Sequence, residues 1–194
     1  MDEAPQIIKD YLFYMQTVKG KSQKTVDEYY IDLRTFFRFI KLQRGLVPND
    51  SEFENISISD VDIELVKTVT LNDAYEFMNY IQRERKNQNV TRARKCSSLK
   101  GYFNYLATKK CVLDSNPVEQ LEVPKKKKSL PKYLTLEQSL ELLNAVDGDY
   151  KERDYCILTL FLNCGLRISE LAGLNLADVR GDQLRVLGKG NKER

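Results

Sequence analysis

Histidine is absent from the 194 residues, so no Ser/His or Cys/His catalytic arrangement and no His-ligated zinc site can be assembled within this chain. Long apolar runs are lacking as well. The longest, around Tyr155–Cys164 and Tyr102–Ala107, fall well short of the roughly 20 residues of a membrane span, and the first twenty residues carry Asp2, Glu3, Lys9 and Asp10 instead of a basic-then-apolar leader. These features point to a cytoplasmic protein without a membrane segment. Cysteine is sparse: Cys96, Cys111, Cys156 and Cys164 show no paired metal-ligand spacing and each lies in or beside an apolar-periodic stretch, which predicts reduced core residues and no metal site.

What is present is an ordinary globular balance, 42% hydrophobic and 30% charged, with a mild net charge of +3 that is unevenly spread. From Arg83 to Lys110 the cations Arg83, Arg85, Lys86, Arg92, Arg94, Lys95, Lys100, Lys109 and Lys110 face the single acid Glu84, and Lys125, Lys126, Lys127, Lys128 and Lys132 follow. One such run is commonly a solvated face; two runs flanking one boundary point to a polyanionic partner.

The periodicity predicts helices over about Pro5–Thr17 and from Ser22 to Gly45, then over Asn72–Arg85 and from Val90 through Leu106, a bundle of four. Residues 113–132, with three prolines in Asp114–Pro131, read as a basic linker between a first domain over 1–112 and a second over 133–194. Thr135 with Gln138 has the form of a capping box. The stretch Glu152–Asn163 is almost continuously apolar, which predicts a helix inside a core. Asp178–Arg180 and Leu184–Leu187 flank a Gly181-Asp182 turn as short strands, and Gly188–Asn191 makes a second tight turn. A three-residue final strand is a poor domain end, so the second domain is expected to be incomplete at Arg194.

The string Cys164-Gly165-Leu166-Arg167-Ile168-Ser169-Glu170-Leu171, followed by Leu174 and Asp178, resembles the first catalytic box of the tyrosine recombinases, the family of Xer proteins and phage integrases. Gly188-Lys189-Gly190-Asn191-Lys192-Glu193-Arg194 is similar to the strand-turn-strand that carries the same family's catalytic lysine. Ser22–Thr25 with Tyr29, Leu33 and Phe36, and Thr91–Lys95 with Leu99 and Tyr102, resemble its amino-terminal part. The resemblance implies a mainly α chain: a four-helix, SAM-like core-binding domain, then the helical start of a catalytic domain with a small β-ribbon. It also implies site-specific recombination, in which a tyrosine attacks a DNA phosphate to form a 3′-phosphotyrosyl link.

On that resemblance Arg167 matches the arginine that grips the scissile phosphate, its planar fork suited to two oxygens. Glu170 matches a supporting acid, and Lys189 the acid for the leaving 5′-oxygen, with Lys192 and Arg194 as rival cations on the ribbon. Lys24, Thr25, Arg92, Arg94, Lys95, Lys100 and Lys125–Lys128 are the expected duplex contacts. No cofactor or metal is required. The partners implied are double-stranded DNA and recombinase subunits in a homo- or hetero-tetramer on paired sites. The second arginine box and the nucleophile are not matched by any residue here, and all eleven tyrosines precede Arg167. The fragment is therefore expected to bind DNA without cutting it. Two alternatives stand beside this reading: a non-catalytic DNA-binding protein that occupies recombination sites, and a type IB topoisomerase relative. Residue types do not distinguish chromosome-dimer resolution from movement of a phage or transposon.

Overall fold

The computed structural model describes residues 4–48, 50–123, 132–188 and 193. The chain divides into two compact units, Met1–Lys128 and Ser129–Arg194. The first is built from α1 (Gln6–Thr17), α2 (Gln23–Gln43), a short α3 (Ile63–Lys67), α4 (Leu71–Arg83) and α5 (Asn89–Thr108). The second holds α6 (Leu136–Asn144), α7 (Lys151–Cys164), α8 (Ile168–Ala172) and the antiparallel pair β1 (Val179–Arg180) and β2 (Gln183–Leu184), with Val179 opposite Leu184.

Local chemistry sets these boundaries. Ser22 caps α2 by accepting from the Thr25 backbone N–H, and Gly45, at φ +63°, takes the left-handed turn just beyond the helix. Thr70 and Asp73 at α4, and Thr135 and Gln138 at α6, form reciprocal capping boxes. In the first unit the buried stripes interlock through aromatic rings. Phe36 meets Phe77 and Phe103 edge-on at centroid distances of 5.2 and 6.2 Å, and Phe37 meets Tyr102 at 6.0 Å. Each fully buried ring of this kind contributes about 1.5–3 kcal/mol by leaving water. Glu28 pairs with Arg94 and Phe36 with Phe103, so numbers rise together on both helices and α2 and α5 run in the same direction.

Four features differ from the sequence expectation. Between the second and third expected helices the chain forms a 3₁₀ turn at Phe53–Asn55 and α3, and it buries Ile56, Ile58, Val61, Val66 and Val69. Buried cations of α2 hold this connection. Arg38 donates to the Ile56 carbonyl and Glu54, both at 2.8 Å, and Lys41 donates to the Ser57 carbonyl at 2.9 Å and Asp60 at 2.7 Å. Isolated apolar residues held by long cations have no helical period to read.

The expected linker also begins too early. Val118 and Leu121 are buried in the first unit's core, the Asn116 amide donates to the Lys100 carbonyl at 3.3 Å, and Asn116 Oδ1 accepts from the Val118 N–H at 3.0 Å. Composition alone hid two well-placed apolar anchors. Residues 124–131, with the run Lys125, Lys126, Lys127 and Lys128, lie outside the described residues.

Third, α7 is not inside a core. It buries no residue fully, and Tyr155 and Leu162 are 47% and 37% exposed. The described residues of its unit offer few apolar partners, the buried ones being Leu166 and Val186. Fourth, only Cys96 is buried among the cysteines. Cys111 sits just past α5 with φ +51°, and Cys156 and Cys164 lie on the exposed α7; all four are free thiols. No helix is long and apolar enough to cross a membrane among the described residues.

Candidate functional site

In the second unit, Gly165 reverses the chain after α7 with φ +58°, a left-handed conformation that a side chain disfavours. This brings Arg167 to the N-cap of α8, three residues before Glu170. The buried Glu170 carboxylate, with its side chain 4% exposed, accepts from the Arg167 backbone N–H at 2.8 Å and from its Nη1 at 2.6 Å. The Arg167 side chain is 68% exposed. One acid thus caps a helix and fixes the direction of a solvent-facing guanidinium, the arrangement an arginine needs to meet an incoming anion without first losing rotamer freedom. This is also the plain helix-start geometry in which an N-cap arginine pairs with the acid at N3. What sets it apart is the contrast between a buried acid and an open cation.

The ribbon follows. Beyond β2, Leu187 and Glu193 pair as an isolated antiparallel bridge, and Arg185 contacts Glu193 through Nε at 2.9 Å and Nη2 at 3.0 Å. Lys189, Lys192 and Arg194 lie outside the described residues.

In the first unit, the first turns of α2 and α5 contain no acid, and the two helices run in parallel, so both positive helix ends face the same way. Lys24 is exposed in the first turn of α2, and Thr25 is half-buried with its hydroxyl 3.0 Å from Ser22 Oγ. Arg92, in the first turn of α5, donates to Asn89 Oδ1 at 2.6 Å and to Gln82, with no acid among these partners. Lys100 is half-buried one turn beyond Cys96.

Lys95 departs from its expected role. It is 5% exposed, and its ammonium donates to Asp32 Oδ1 at 2.9 Å in the interior. Its charge is spent on a buried carboxylate, so it cannot lie on a phosphate without unfolding that contact. Arg94 also reaches Asp32, at 2.7 Å, but keeps 32% of its side chain exposed. Asp32, whose side chain is fully enclosed, is the functional candidate that the sequence reading missed. A single acid inside an apolar-periodic helix gives no local signal; its partners lie more than 60 positions away.

Burial pushes the Tyr11 and Tyr102 hydroxyls far above the usual phenol range, and it raises those of Tyr29 and Tyr105 as well. Tyr133, Tyr150 and Tyr155 are exposed. Among the described residues no cluster of ligating side chains could hold a metal.

Comparison with known proteins agrees with both units. The model of the phage integrase family matches residues 132–194, and that of the phage integrase N-terminal SAM-like domain matches residues 8–110. The tyrosine recombinase XerC of Caldanaerobacter subterraneus subsp. tengcongensis is 51% identical over 190 residues, covering 98% of this chain and 54% of that protein. XerC of Syntrophus aciditrophicus is 33% identical, covering 100% of this chain and 59% of that protein. The chain therefore spans somewhat over half the length of these curated relatives. Among solved structures, a lambda integrase dimer bound to a COC′ core site superposes with a TM-score of 0.65 at 17% identity, over 97% of this chain and 47% of that one. That likeness speaks for the fold. From the two family matches and the identity to XerC, the chain belongs to the tyrosine recombinase (phage integrase) family and is Xer-like.

Proposed function

We propose that this chain is the DNA-embracing portion of a site-specific recombinase that cuts and rejoins duplex DNA through a 3′-phosphotyrosyl intermediate. The observation that carries the reading is the exposed Arg167 guanidinium held by the buried Glu170 carboxylate. Arg167 stabilises charge on the non-bridging oxygens of the scissile phosphate, and Glu170 keeps its fork aimed. Lys189, on the ribbon, protonates the leaving 5′-oxygen, because an alkoxide departs poorly at neutral pH. The parallel positive ends of α2 and α5, with Lys24, Thr25, Arg92 and Arg94, take the duplex backbone, joined by Lys100 and by Lys125–Lys128. The nucleophilic tyrosine is not among these residues, so residues 1–194 alone bind DNA and form no covalent adduct. The working form is a homo- or hetero-tetramer on paired sites, and the basic linker begins only after residues 116–121 have packed against the first domain. The setting is the cytoplasm, where chromosome partition is one task open to such an enzyme.

The test uses a full-length recombinase carrying this sequence. Arg167→Ala should slow strand cleavage by about 100-fold or more, the scale of removing one oxyanion donor. Lys189→Ala should cripple cleavage of ordinary DNA yet cleave a 5′-bridging phosphorothiolate nearly as fast as the unmutated enzyme, since a thiolate leaves without an acid; Arg167→Ala should show no such rescue. Near-normal cleavage by Arg167→Ala removes Arg167 from the site, and rescue of Lys192→Ala in place of Lys189→Ala reassigns the acid. A gel-stable adduct formed by residues 1–194 alone overturns the reading of the tyrosines.

A further inference from the structure

Asp32 gathers an unusual set of partners. Its Oδ1 accepts from Lys95 Nζ at 2.9 Å, and its Oδ2 accepts from Arg94 Nη1 at 2.7 Å and from Ser98 Oγ at 2.7 Å. Arg94 Nη1 also meets the Glu28 backbone carbonyl at 3.0 Å and the Glu28 carboxylate at 2.9 Å. Every one of these contacts to Arg94 falls on the same nitrogen. Its Nε and Nη2, which form the side-on edge of the guanidinium, carry none of these hydrogen bonds or ion pairs, the Tyr29 phenol feels its charge, and 32% of the side chain remains exposed. Nη1 is thus an anchor, and the edge that can give two parallel hydrogen bonds is left open.

We infer that Asp32 is a positioning residue for DNA binding, holding Arg94 by one nitrogen so that its free Nε–Nη2 edge grips a backbone phosphate; this rests on the duplex-binding reading above. Arg94 lies one turn into α5, on the side that faces Glu28, and Glu28 lies one turn beyond Lys24 on α2. The grip therefore sits beside the positive ends of the two parallel helices, where a phosphate is already favoured. Lys95 supplies the second positive charge beside the enclosed Asp32 carboxylate. The four ionised groups Asp32, Glu28, Arg94 and Lys95 sum to zero, so the cluster offers short-range, directional hydrogen bonds more than long-range attraction. Holding the fork in advance lowers the entropy lost on binding, which is how an electrically balanced cluster still adds affinity.

The experiment measures duplex affinity of the 194-residue chain as a function of salt, with thermal unfolding of each variant as a control. Arg94→Ala should weaken binding about tenfold, the effect of losing a charge-assisted bidentate contact, and make the slope of log K against log salt shallower by roughly 0.9. Asp32→Asn alone strands Lys95 and keeps an amide oxygen that can still accept from Arg94, so the informative variant is Asp32→Leu/Lys95→Met, which removes the enclosed half of the anchor and leaves only the Glu28 contacts on Nη1 while leaving no unpaired charge in the interior. It should melt cooperatively and bind about as weakly as Arg94→Ala. Adding Arg94→Ala to it should cost little more, because the three changes remove one contact. Binding by Asp32→Leu/Lys95→Met equal to the parent's, or full additivity with Arg94→Ala, overturns the positioning role. Duplex binding lost to Lys24→Glu/Arg92→Glu but indifferent to Arg94→Ala overturns the grip and leaves the DNA-binding reading intact. Failure of the parent chain to bind any duplex overturns both.

Discussion

The first unit closes Phe36, Phe37, Phe77, Tyr102 and Phe103 almost completely from water, whereas in the second unit Leu136, Leu140, Ile168 and Leu176 stand between 52% and 95% exposed. Both units use the same local devices: capping boxes at α4 and α6, left-handed glycines after α2 and α7. The difference lies in what the helix faces meet. In the first unit α2 is wrapped by α1, α4, α5 and the 52–69 connection, so its stripe is satisfied on several sides. In the second, α6 and α7 lie against each other and expose the rest. Well-formed helices therefore do not imply a well-buried core. Most helical stability in a protein comes from the packed face and little from the cap or the propensity.

The largest expected effects set these two regions against each other. Phe36→Ala should destabilise the first unit by about 3–5 kcal/mol, and Leu176→Ala should change stability by no more than about 0.5 kcal/mol. Urea denaturation followed by far-ultraviolet circular dichroism measures both. Segment-resolved hydrogen exchange should show α2 and α5 protected long after α6 and α7 have exchanged. Equal protection of α5 and α7 would break the comparison, since exposure would then not report stability.

An intermediate effect concerns one close approach inside the first unit. A Cβ at Gly101, on α5, would stand 2.7 Å from the Tyr11 hydroxyl of α1. Alanine normally favours a helix over glycine by about 1 kcal/mol, yet here the clash should reverse the sign and cost about 1–3 kcal/mol. Tyr11→Phe removes the oxygen and should restore much of the loss in the double variant, read from the same denaturation curves. A Gly101→Ala protein as stable as its parent would mean the α1–α5 contact yields more easily than its packing suggests.

The smallest effect is a pH dependence carried by four carboxyls that reach the surface. Hydrogen bonds lower the carboxyls of Asp10 (from Lys110), Glu54 (from Arg85) and Asp60 (from Lys41) below the ordinary carboxylate range. In the second unit Glu137 is lowered by hydrogen bonds from the backbone and Thr135. For a depressed carboxyl the folded state holds its proton less tightly than the unfolded state does. The contribution is complete above roughly pH 5 and is lost as pH falls below about 4 through the folded pKa. Melting temperatures from pH 6 down to pH 2.5 should decline, and Asp60→Asn should flatten part of the decline. A melting temperature that rises on acidification would contradict the sign for all four.

Much of the first unit is legible in the sequence. The spacing of Ile8, Tyr11, Leu12 and Met15, or of Leu99, Tyr102, Phe103 and Leu106, repeats every three to four residues, and the caps at Ser22 and Thr135 follow short-range rules. Arg167 and Glu170 were legible as a pair because they lie within one turn, and the structure shows their contact. The 52–69 connection was not, since Ile56, Ile58, Val61, Val66 and Val69 follow no helical or strand period, and Arg38 and Lys41 of α2 anchor them from 16 to 19 positions away.

The sequence by itself determined the family, the longer helices and their caps, and the presence of a cation-rich stretch, because each of these is written in residue types at short spacing. Tertiary structure alone decided which of those cations can meet a partner. Lys95 and Arg94 are neighbours of equal charge in the chain, yet packing of α2 against α5 encloses one at 5% exposure and leaves the other with an open edge. The deciding group is a carboxylate 62 and 63 positions earlier, and its reach follows from how the helices pack, which neither stretch specifies alone.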